Sequence, residues 1–490
     1  MKELKEVIDF VASGSSVHFK ENPIQKKKSR LEKFYRTILS GKGTDEKTVM
    51  LGMNKRKYVP ATFRSLKSRL LNRLTEEMIR PETEQVFRSK YDTIRYRCWR
   101  NLLVVQVLLY SYKRTAALKI LGRVLAGARK YQLNDVAVAA LRLQRYQAAF
   151  LGNKASYEKS ERLLAEAQAR LNAEMEIEAL AQKIMMMMRH KGVPTSADKI
   201  KSKEISAKAS KILGRYPTHL NRLETYRIAV WHNQIIQKNQ KVIRVCRQAQ
   251  QYFAKNPHLV QKVKQAEFGL FRMHSCMVTG NFKEGERCAI QSEELFIKGS
   301  PNWMIFLEHY FLLSMHTGQY KNALEIYYKV TRYPAFSDQT DAHKEKWRIF
   351  EAYLHIVLPG QSKKSFSPFR YVNEMPLFTK DKEGFNIPTI IAYVAHLISL
   401  GRIDQVLKME DALKAYFRRH VNKRKNYRSF YFTKLLLILV KSNLNPELCQ
   451  RPASSILALL KKNKDHAYHT DDIEIIPYEK LWPVLLEKCR

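Results

Sequence analysis

The sequence has few glycines, prolines and cysteines for its length. Its 490 residues include 17 Gly, 16 Pro and 6 Cys. So few residues that interrupt regular structure indicate long continuous elements, and this favours helices. The cysteines form no CxxC pair and no dense framework, which excludes zinc-ribbon and disulfide-scaffold classes and indicates reduced thiols.

Long apolar runs are also missing. The best apolar run, LLVVQVLLY at 102–110, is far shorter than the roughly 20 residues that a membrane helix needs. The opening stretch, MKELKEVIDFVASG, contains acidic residues and lacks the apolar segment of a secretory signal. We therefore expect a cytoplasmic protein without a membrane span.

Acidic residues are scarce relative to basic ones. The chain has 87 Lys and Arg against 46 Asp and Glu, a formal net charge of +41. Such an excess repels itself, so a polyanionic partner is expected, and nucleic acid or a ribonucleoprotein is favoured. An anionic membrane surface, and a basic surface without a specific polyanion, are the alternatives. The oligomeric state stays open.

What the sequence does contain is a series of bends between apolar-periodic runs. The clearest are single glycines at Gly152, Gly280, Gly318 and Gly401, and weaker equivalents lie near Tyr112, Gly192, Lys238, Gly360 and Ser442. Their spacing is close to 41 residues, which leaves room for two helices of roughly 15 residues and two turns. One such hairpin cannot bury both apolar faces, so neighbours must stack. The spacing predicts an all-α, helical-hairpin solenoid.

The residues after the bends resemble the tetratricopeptide repeat (TPR). Gly318, Tyr320, Ala323 and Tyr327 follow its Gly-x-Tyr-x-x-Ala-x-x-x-Tyr core. The segment Gly280, Phe282, Gly285, Ala289 repeats that order of small and aromatic residues. The period departs from the family's 34 residues, and Val330 stands where the family prefers alanine. The resemblance covers about residues 98 to 450 and implies a right-handed solenoid of about eight TPR-like hairpins.

Two further segments resemble a bacterial family of helical-repeat proteins without an assigned biochemical role. They are PGQSKKSFSPFRYVNEMPLFTKDKEGFNIP at 359–388 and EIIPYEKLWPVLL near the C-terminus. The first has four prolines, so it cannot be one continuous helix and is expected to be an ordered loop. This resemblance implies a fold and no chemistry.

The domain organisation follows from these patterns. Residues 1–95 are expected to form a small basic helical domain of three helices, which serves either as a cap of the repeats or as a helix-turn-helix unit. TPR-like repeats are expected at 96–358, the proline- and glycine-containing loop at 359–388, and further repeats with a terminal helix at 389–490.

Catalytic and metal-binding motifs are missing from the sequence. SGKGT at 40–44 lacks the glycine spacing of a phosphate loop, and no GxSxG or HExxH is present. Asp471 and Asp472, with Glu479 in YEK at 478–480, faintly resemble a metal-dependent nuclease core, but that core needs strands. We expect no enzyme, no cofactor and no metal.

Clusters of basic and aromatic residues are the candidate binding sites. In YFRRHVNKRKNYRSFYF, at 416–432, cations that neutralise phosphates alternate with rings that can stack on bases. The alternative is that Phe417, Phe430 and Phe432 pack in the core while the cations are merely solvated. The residues predicted to bind nucleic acid here are Arg418, Arg419, Lys423, Arg424, Lys425, Tyr427 and Arg428.

Two more basic clusters precede this one. Arg95, Arg97 and Arg100 lie in FRSKYDTIRYRCWR at 87–100 and are also predicted to bind nucleic acid. The segment DKIKSKEISAKASKILGR at 198–215 spaces its cations within a helical pattern: Lys201, Lys208, Lys211 and Arg215. Sequence alone does not show whether these clusters share a face.

The favoured function is a non-catalytic cytoplasmic adaptor that docks on nucleic acid or a ribonucleoprotein through its basic surface. The alternative is a scaffold that binds a protein or an acidic peptide without touching nucleic acid, which is a common use of helical repeats. A transcription regulator, with a DNA-binding N-terminal domain and a peptide-sensing array, would combine the two.

Overall fold

The protein is helical over most of the part that the computed structural model describes. Described residues are 3–5, 7, 8, 30–40, 45–54, 59–79, 84, 86–189, 194–359, 367, 369–371, 386–421, 423, 426–462, 468, 469 and 472–489. The predicted loop at 359–388 and the bends at Gly192 and Gly360 lie largely or wholly outside them.

The chain divides into two compact units. Unit 1 comprises Met1–Asn172 and Asn256–Gln261, and unit 2 comprises Ala173–Lys255 and Lys262–Arg490. The first boundary falls within the long helix α7. The helices that lie in unit 1 or begin there are α1 (Arg30–Leu39), α2 (Glu46–Asn54), α3 (Pro60–Met78), α4 (Lys90–Tyr110), α5 (Arg114–Lys130), α6 (Asn134–Phe150) and α7 (Lys154–Arg189).

Unit 1 contains two main apolar cores. The three helices predicted in the N-terminal region are present as α1–α3, and the α3 stripe of Phe63, Leu66, Leu70 and Leu74 is buried against Phe34. The second core lies between α4, α5 and α6, because each of these helices buries one apolar stripe against its neighbours. Its central side chains are Leu102, Val105, Ala117, Leu121, Val124 and Val136.

Unit 2 holds the remaining elements. They are α8 (Ser196–Arg215), α9 (His219–Ile235), α10 (Asn239–Lys255), α11 (Lys262–Val278), α12 (Phe282–Glu293), α13 (Pro301–Thr317), α14 (Tyr320–Thr331), α15 (Asp341–Val357), α16 (Asn386–Ser399), α17 (Ile403–Lys408), α18 (Glu410–His420), α19 (Tyr427–Lys441), α20 (Pro446–Lys462), β1 (Tyr468–His469), β2 (Asp472–Ile473) and α21 (Tyr478–Lys488). The two strands pair antiparallel.

One continuous core runs through unit 2 from α11 to α21. Aromatic rings fill it: Phe311 stacks on Phe350 with ring centroids 4.4 Å apart. The segment that leads into α21 returns to α13, where His316 Nε2 lies 2.6 Å from the carbonyl oxygen of Glu474 and Lys480 Nζ donates to the carbonyl oxygen of His316 at 2.9 Å. This segment therefore completes a core begun about 160 residues earlier.

One turn geometry recurs at bends between consecutive helices. At Gly318 φ is +79°, its N–H donates to Met315 and the next N–H, of Gln319, donates to Ser314. This pair of bonds is the Schellman motif, which satisfies the last carbonyls of a helix and needs one residue with positive φ. The same pair of bonds and a positive φ occur at Tyr112, Gln132, Gly152, Gln237, Gly280, Gly401 and Asn443.

The side chains after the Gly318 bend pack as the motif predicts. Ala323 is fully buried, and Tyr320 and Tyr327 pack against the unit 2 core. A small residue at the buried position lets the neighbouring helices approach closely. Gly318 itself meets no atom within 4 Å at the place where a Cβ would be, so only its backbone conformation calls for glycine.

The predicted fold class is confirmed: the protein is all-α and built from consecutive antiparallel helical hairpins. Each helix packs mainly on the helices next to it in sequence, as α4, α5 and α6 do in unit 1 and α8, α9 and α10 in unit 2. Among the described residues, no helix combines the length and the apolar character needed to cross a bilayer.

Candidate nucleic-acid interface

The rings of the predicted cluster at 416–432 are mostly interior. Phe417 and Phe432 are buried, and Phe432 stacks on Tyr478 with ring centroids 4.2 Å apart. Tyr427 and Phe430 are half-buried and pack against Tyr431. Rings held in this way are not available to stack on bases. They agree better with the alternative interpretation, in which the aromatic residues of this cluster pack in the core.

Arg428 is also inside the protein, which corrects its prediction as a nucleic-acid ligand. Its guanidinium donates to Glu474, to Glu479 at 2.5 Å and to the carbonyl oxygen of Leu460 at 2.6 Å. Burial opposes its charge, but the two carboxylates outweigh burial and raise the pKa of Arg428. A buried guanidinium with three acceptors has no face left for a phosphate.

Three cations of this cluster do lie on the surface. Arg418 and Arg419 are exposed in the last turn of α18, and Lys423 is exposed after it. Arg424 and Lys425 lie outside the described residues. The cluster at 416–432 is therefore a short exposed basic segment above an aromatic core, and its prediction as a stacking site is weakened.

The arginines of the second cluster are engaged by carboxylates. Arg95 pairs with Asp135 at 2.7 Å. Glu84 accepts from Arg97 at 2.5 Å and also forms an ion pair with Arg100, whose Nη1 lies 3.1 Å from Glu84 Oε1. The hydrogen bond from Arg97 lowers the pKa of Glu84 against the opposing effect of its burial. These pairs tie α4 to its neighbours in unit 1, so the three arginines have structural partners.

The third cluster is placed differently, because its cations line the open side of α8. Lys201, Lys208, Lys211 and Arg215 are all exposed. Lys201, Lys208 and Arg215 are seven residues apart, which is close to two helical turns, so they share one face at intervals of about 10 Å. The exposed Glu204 lies on the same helix.

Beyond Glu204 the sequence is nearly free of acid. Residues 205–255, from α8 to the end of α10, contain one acidic residue, Glu224, and it is buried. Arg227 neutralises it at 2.8 Å. The segment contains ten basic residues: Lys208, Lys211, Arg215, Arg222, Arg227, Lys238, Lys241, Arg244, Arg247 and Lys255.

Most of these cations face solvent without a carboxylate partner. Arg227 also pairs with Glu267, Arg247 pairs with Glu284, and Arg222 lies over the Tyr252 ring. Seven others are exposed and form no ion pair among the described residues, and we call them the basic face. It consists of Lys208, Lys211, Arg215, Lys238, Lys241, Arg244 and Lys255.

Cations from two helices and the bend between α9 and α10 converge near His232, in the last turn of α9. Ser202 Oγ, on α8, lies 2.9 Å from His232 Nδ1, which brings the neighbouring Lys203 to the same place. Burial, and then the charges of Lys241, Lys203 and Lys238, lower the pKa of His232. The imidazole is therefore neutral at pH 7, and the three ammonium groups are suited to bind a phosphate oxygen.

The rings near the basic face are not free to stack. Tyr216, Tyr226 and Tyr252 are half-buried, and His219 Nδ1 lies 3.0 Å from the Tyr252 hydroxyl. A ligand held here would be bound through its phosphates. Such contacts carry no base specificity.

Side chains that could ligate a metal are dispersed in the part of the chain that the structure describes. No group of three or more His, Cys, Asp or Glu side chains lies close enough together there to hold an ion. Of the three acidic residues considered from the sequence, Glu479 pairs with Arg428, and Asp471 lies outside the described residues. The side chain of Asp472 is not described.

No protein-family model, curated protein or solved structure matches the chain. The TPR resemblance and the resemblance to a bacterial helical-repeat family stay predictions from the motifs.

Proposed function

We propose that this protein is a non-catalytic cytoplasmic adaptor that docks on nucleic acid, alone or in a ribonucleoprotein, through the basic face of α8–α10. One observation carries the proposal: 51 consecutive residues hold ten cations and a single, buried acid. A positively charged surface that extends over several helices attracts a polyanion and repels positively charged partners.

Binding would neutralise phosphates. Lysine and arginine side chains release condensed counterions from the nucleic acid when they contact its backbone, and this supplies affinity without reading sequence. Because the nearby rings are half-buried, discrimination between base sequences is expected to be weak. The lysine group around His232 is the expected place of the tightest phosphate contact.

The test reverses charge on the basic face and elsewhere by the same amount. One full-length variant carries Lys208→Glu, Lys211→Glu, Lys241→Glu and Arg244→Glu. The matched control reverses four other exposed lysines of unit 2 that form no ion pair within the described part of the chain: Lys298→Glu, Lys321→Glu, Lys408→Glu and Lys441→Glu. Fluorescence anisotropy with a labelled 20-nucleotide strand and its duplex, from 50 to 200 mM salt, gives the affinity and the salt slope.

The basic-face variant should bind at least about 10-fold more weakly, and its slope of log K against log salt should fall by about 3 for four lost phosphate contacts. The control should keep the wild-type slope. If both variants bind equally more weakly, the net charge of the protein and not the basic face determines binding, which would contradict the proposal. Absence of binding by the wild type at 50 mM salt would also contradict it.

A further inference from the structure

Helix α4 exposes an apolar stripe in unit 1. Trp99, Leu103, Val107 and Tyr110 follow each other at intervals of four, four and three residues, so they share one helix face. Their exposed fractions are 42%, 51%, 65% and 90%. The opposite face of α4 carries Cys98, Leu102 and Val105 into the core. The helix is thus apolar on two sides, and only one of them is covered.

This α4 stripe is large enough to seat a helix. Eleven residues separate its ends, which corresponds to about 16 Å, or three turns. Val104 is exposed beside it. A contiguous apolar surface of this kind is typical of a protein interaction site rather than of single exposed residues.

Charge identifies the kind of partner. Residues 93–157 contain one acidic residue, Asp135, which is already paired with Arg95, and twelve basic residues. Lys113 is exposed directly after the stripe, and the guanidinium of Arg114 lies 4.2 Å from the centroid of the Phe150 ring. An occupant of the stripe therefore meets a positive rim, which acidic side chains complement.

A second copy of the chain fits this rim poorly. Antiparallel packing of two α4 stripes would bring the exposed Lys113 of one copy to the start of α4 in the other, where Asp135 and Glu84 are already paired with Arg95 and Arg97. Parallel packing would place each cation next to the same cation of the other copy. Nucleic acid also fits less well, because the centre of the stripe is Leu103 and Val107, and aliphatic side chains offer bases no ring to stack on.

We propose that the α4 stripe binds an amphipathic helix of a partner protein whose apolar face is flanked by Asp and Glu. The apolar faces pack together as in other helix-in-groove complexes, and the acidic flanks meet the positive rim. The surface is separate in sequence from the basic face, so this proposal stands without the proposed nucleic-acid function. Together, the two surfaces would let one chain join a nucleic acid to an acidic protein.

Trp99 supplies a built-in reporter. The chain has five tryptophans, and the other four, Trp231, Trp303, Trp347 and Trp482, are buried. Acrylamide therefore quenches mainly Trp99 in the folded protein. A ligand that covers the α4 stripe lowers this quenching.

The probe is a synthetic 20-residue helix with Leu at i, i+3, i+4 and i+7 repeats and Glu at the flanking positions. One control peptide has the same composition in scrambled order, and another has Lys in place of every Glu. The full-length variant Leu103→Asp with Val107→Asp removes the stripe. Its matched control, Val263→Asp with Ile290→Asp, changes two exposed aliphatic residues on helices of unit 2.

The acidic amphipathic peptide should lower the quenching constant at least about twofold, and neither control peptide should do so. The stripe variant should bind the labelled peptide at least about 10-fold more weakly, and the control variant should bind as the wild type does. Three results would overturn the proposal: no saturable peptide binding, protection of Trp99 by a single strand of DNA at lower concentration than by the peptide, or protection by raising the protein concentration alone.

Discussion

Arg428 on α19 donates to Glu474, 46 residues later in the chain, and both side chains are almost completely buried. The pair joins the segment before α21 to the centre of unit 2. Glu479 and the carbonyl oxygen of Leu460 complete the coordination of the guanidinium. A cation that sequence reading assigned to the surface is therefore a structural element of the core.

Replacement of Arg428 should be strongly destabilising. Arg428→Met leaves Glu474 buried without its cation, and removal of one partner of a buried pair costs about 3–5 kcal/mol. The free energy of unfolding from urea denaturation measures the loss. Arg418→Met, on an exposed site of α18, should change it by less than about 0.5 kcal/mol. A cost below about 1 kcal/mol for Arg428→Met would contradict the burial of the pair.

The stability of unit 2 should depend on pH through His396. Burial lowers the pKa of this imidazole to about 4, although its Nε2 lies 3.1 Å from the carbonyl oxygen of Ala352. Between about pH 6.5 and pH 4 the unfolded chain binds a proton that the folded chain does not, so stability falls as the pH falls. The loss from pH 7 to pH 5 should be about 2 kcal/mol for this group.

The variant His396→Gln keeps a side-chain donor and removes the titration. Urea denaturation at pH 7 and pH 5 should show that its free energy of unfolding falls by about 2 kcal/mol less than that of the wild type. His420→Gln, at the exposed end of α18, is the control and should keep the wild-type difference. An identical pH dependence of wild type and H396Q would show that His396 is not buried in its neutral form.

Two Gly→Ala replacements should have opposite signs. Gly318 has φ of +79° and Gly122 lies inside α5, and an added Cβ meets no atom within 4 Å at either site. Gly318→Ala should lower the free energy of unfolding by about 1 kcal/mol, because L residues disfavour positive φ. Gly122→Ala should raise it by about 0.5–1 kcal/mol through helix propensity. Thermal denaturation compares them, and a neutral Gly318→Ala would show that this bend is not left-handed.

The bend after α4 should be improved by glycine. Tyr112 has φ of +60°, which is strained for an L residue, and its side chain is 88% exposed. The strain is therefore not offset by burial of the ring. Tyr112→Gly should stabilise the protein by about 1 kcal/mol in urea denaturation. The control Tyr146→Gly, on an exposed site within α6, should destabilise it by about 0.5 kcal/mol. Destabilisation by both replacements would mean that the Tyr112 ring has a packing role.

Sequence reading located the repeats well because their bends rest on local chemistry. A residue with positive φ between two apolar-periodic runs specifies a helical hairpin without knowledge of the rest of the chain. Glycine marks four of these bends in the sequence: Gly152, Gly280, Gly318 and Gly401. Gln132 takes the same conformation with an ordinary side chain, so no sequence signal marked the bend there.

The surface that we propose for binding was harder to predict, because exposure depends on tertiary packing. Arg418 and Arg428 are ten residues apart in one basic cluster, yet one is exposed and the other is buried against two carboxylates from distant segments. Lys241 and Arg244 lie in no dense basic cluster, so the sequence pattern does not mark them as binding residues. The signal that could have found them is a shortage of acid: residues 225–255 contain no Asp or Glu at all.

The return of Glu474 and Lys480 to His316 on α13 has a consequence for synthesis on the ribosome. At about 5–20 residues per second, translation needs about 8–30 seconds to pass from His316 to these partners. Most hairpins can close while the next is being made, but this part of unit 2 has to wait. A ribosome that stalls before residue 474 would hold a nascent chain with an open core, which is the state that chaperones recognise.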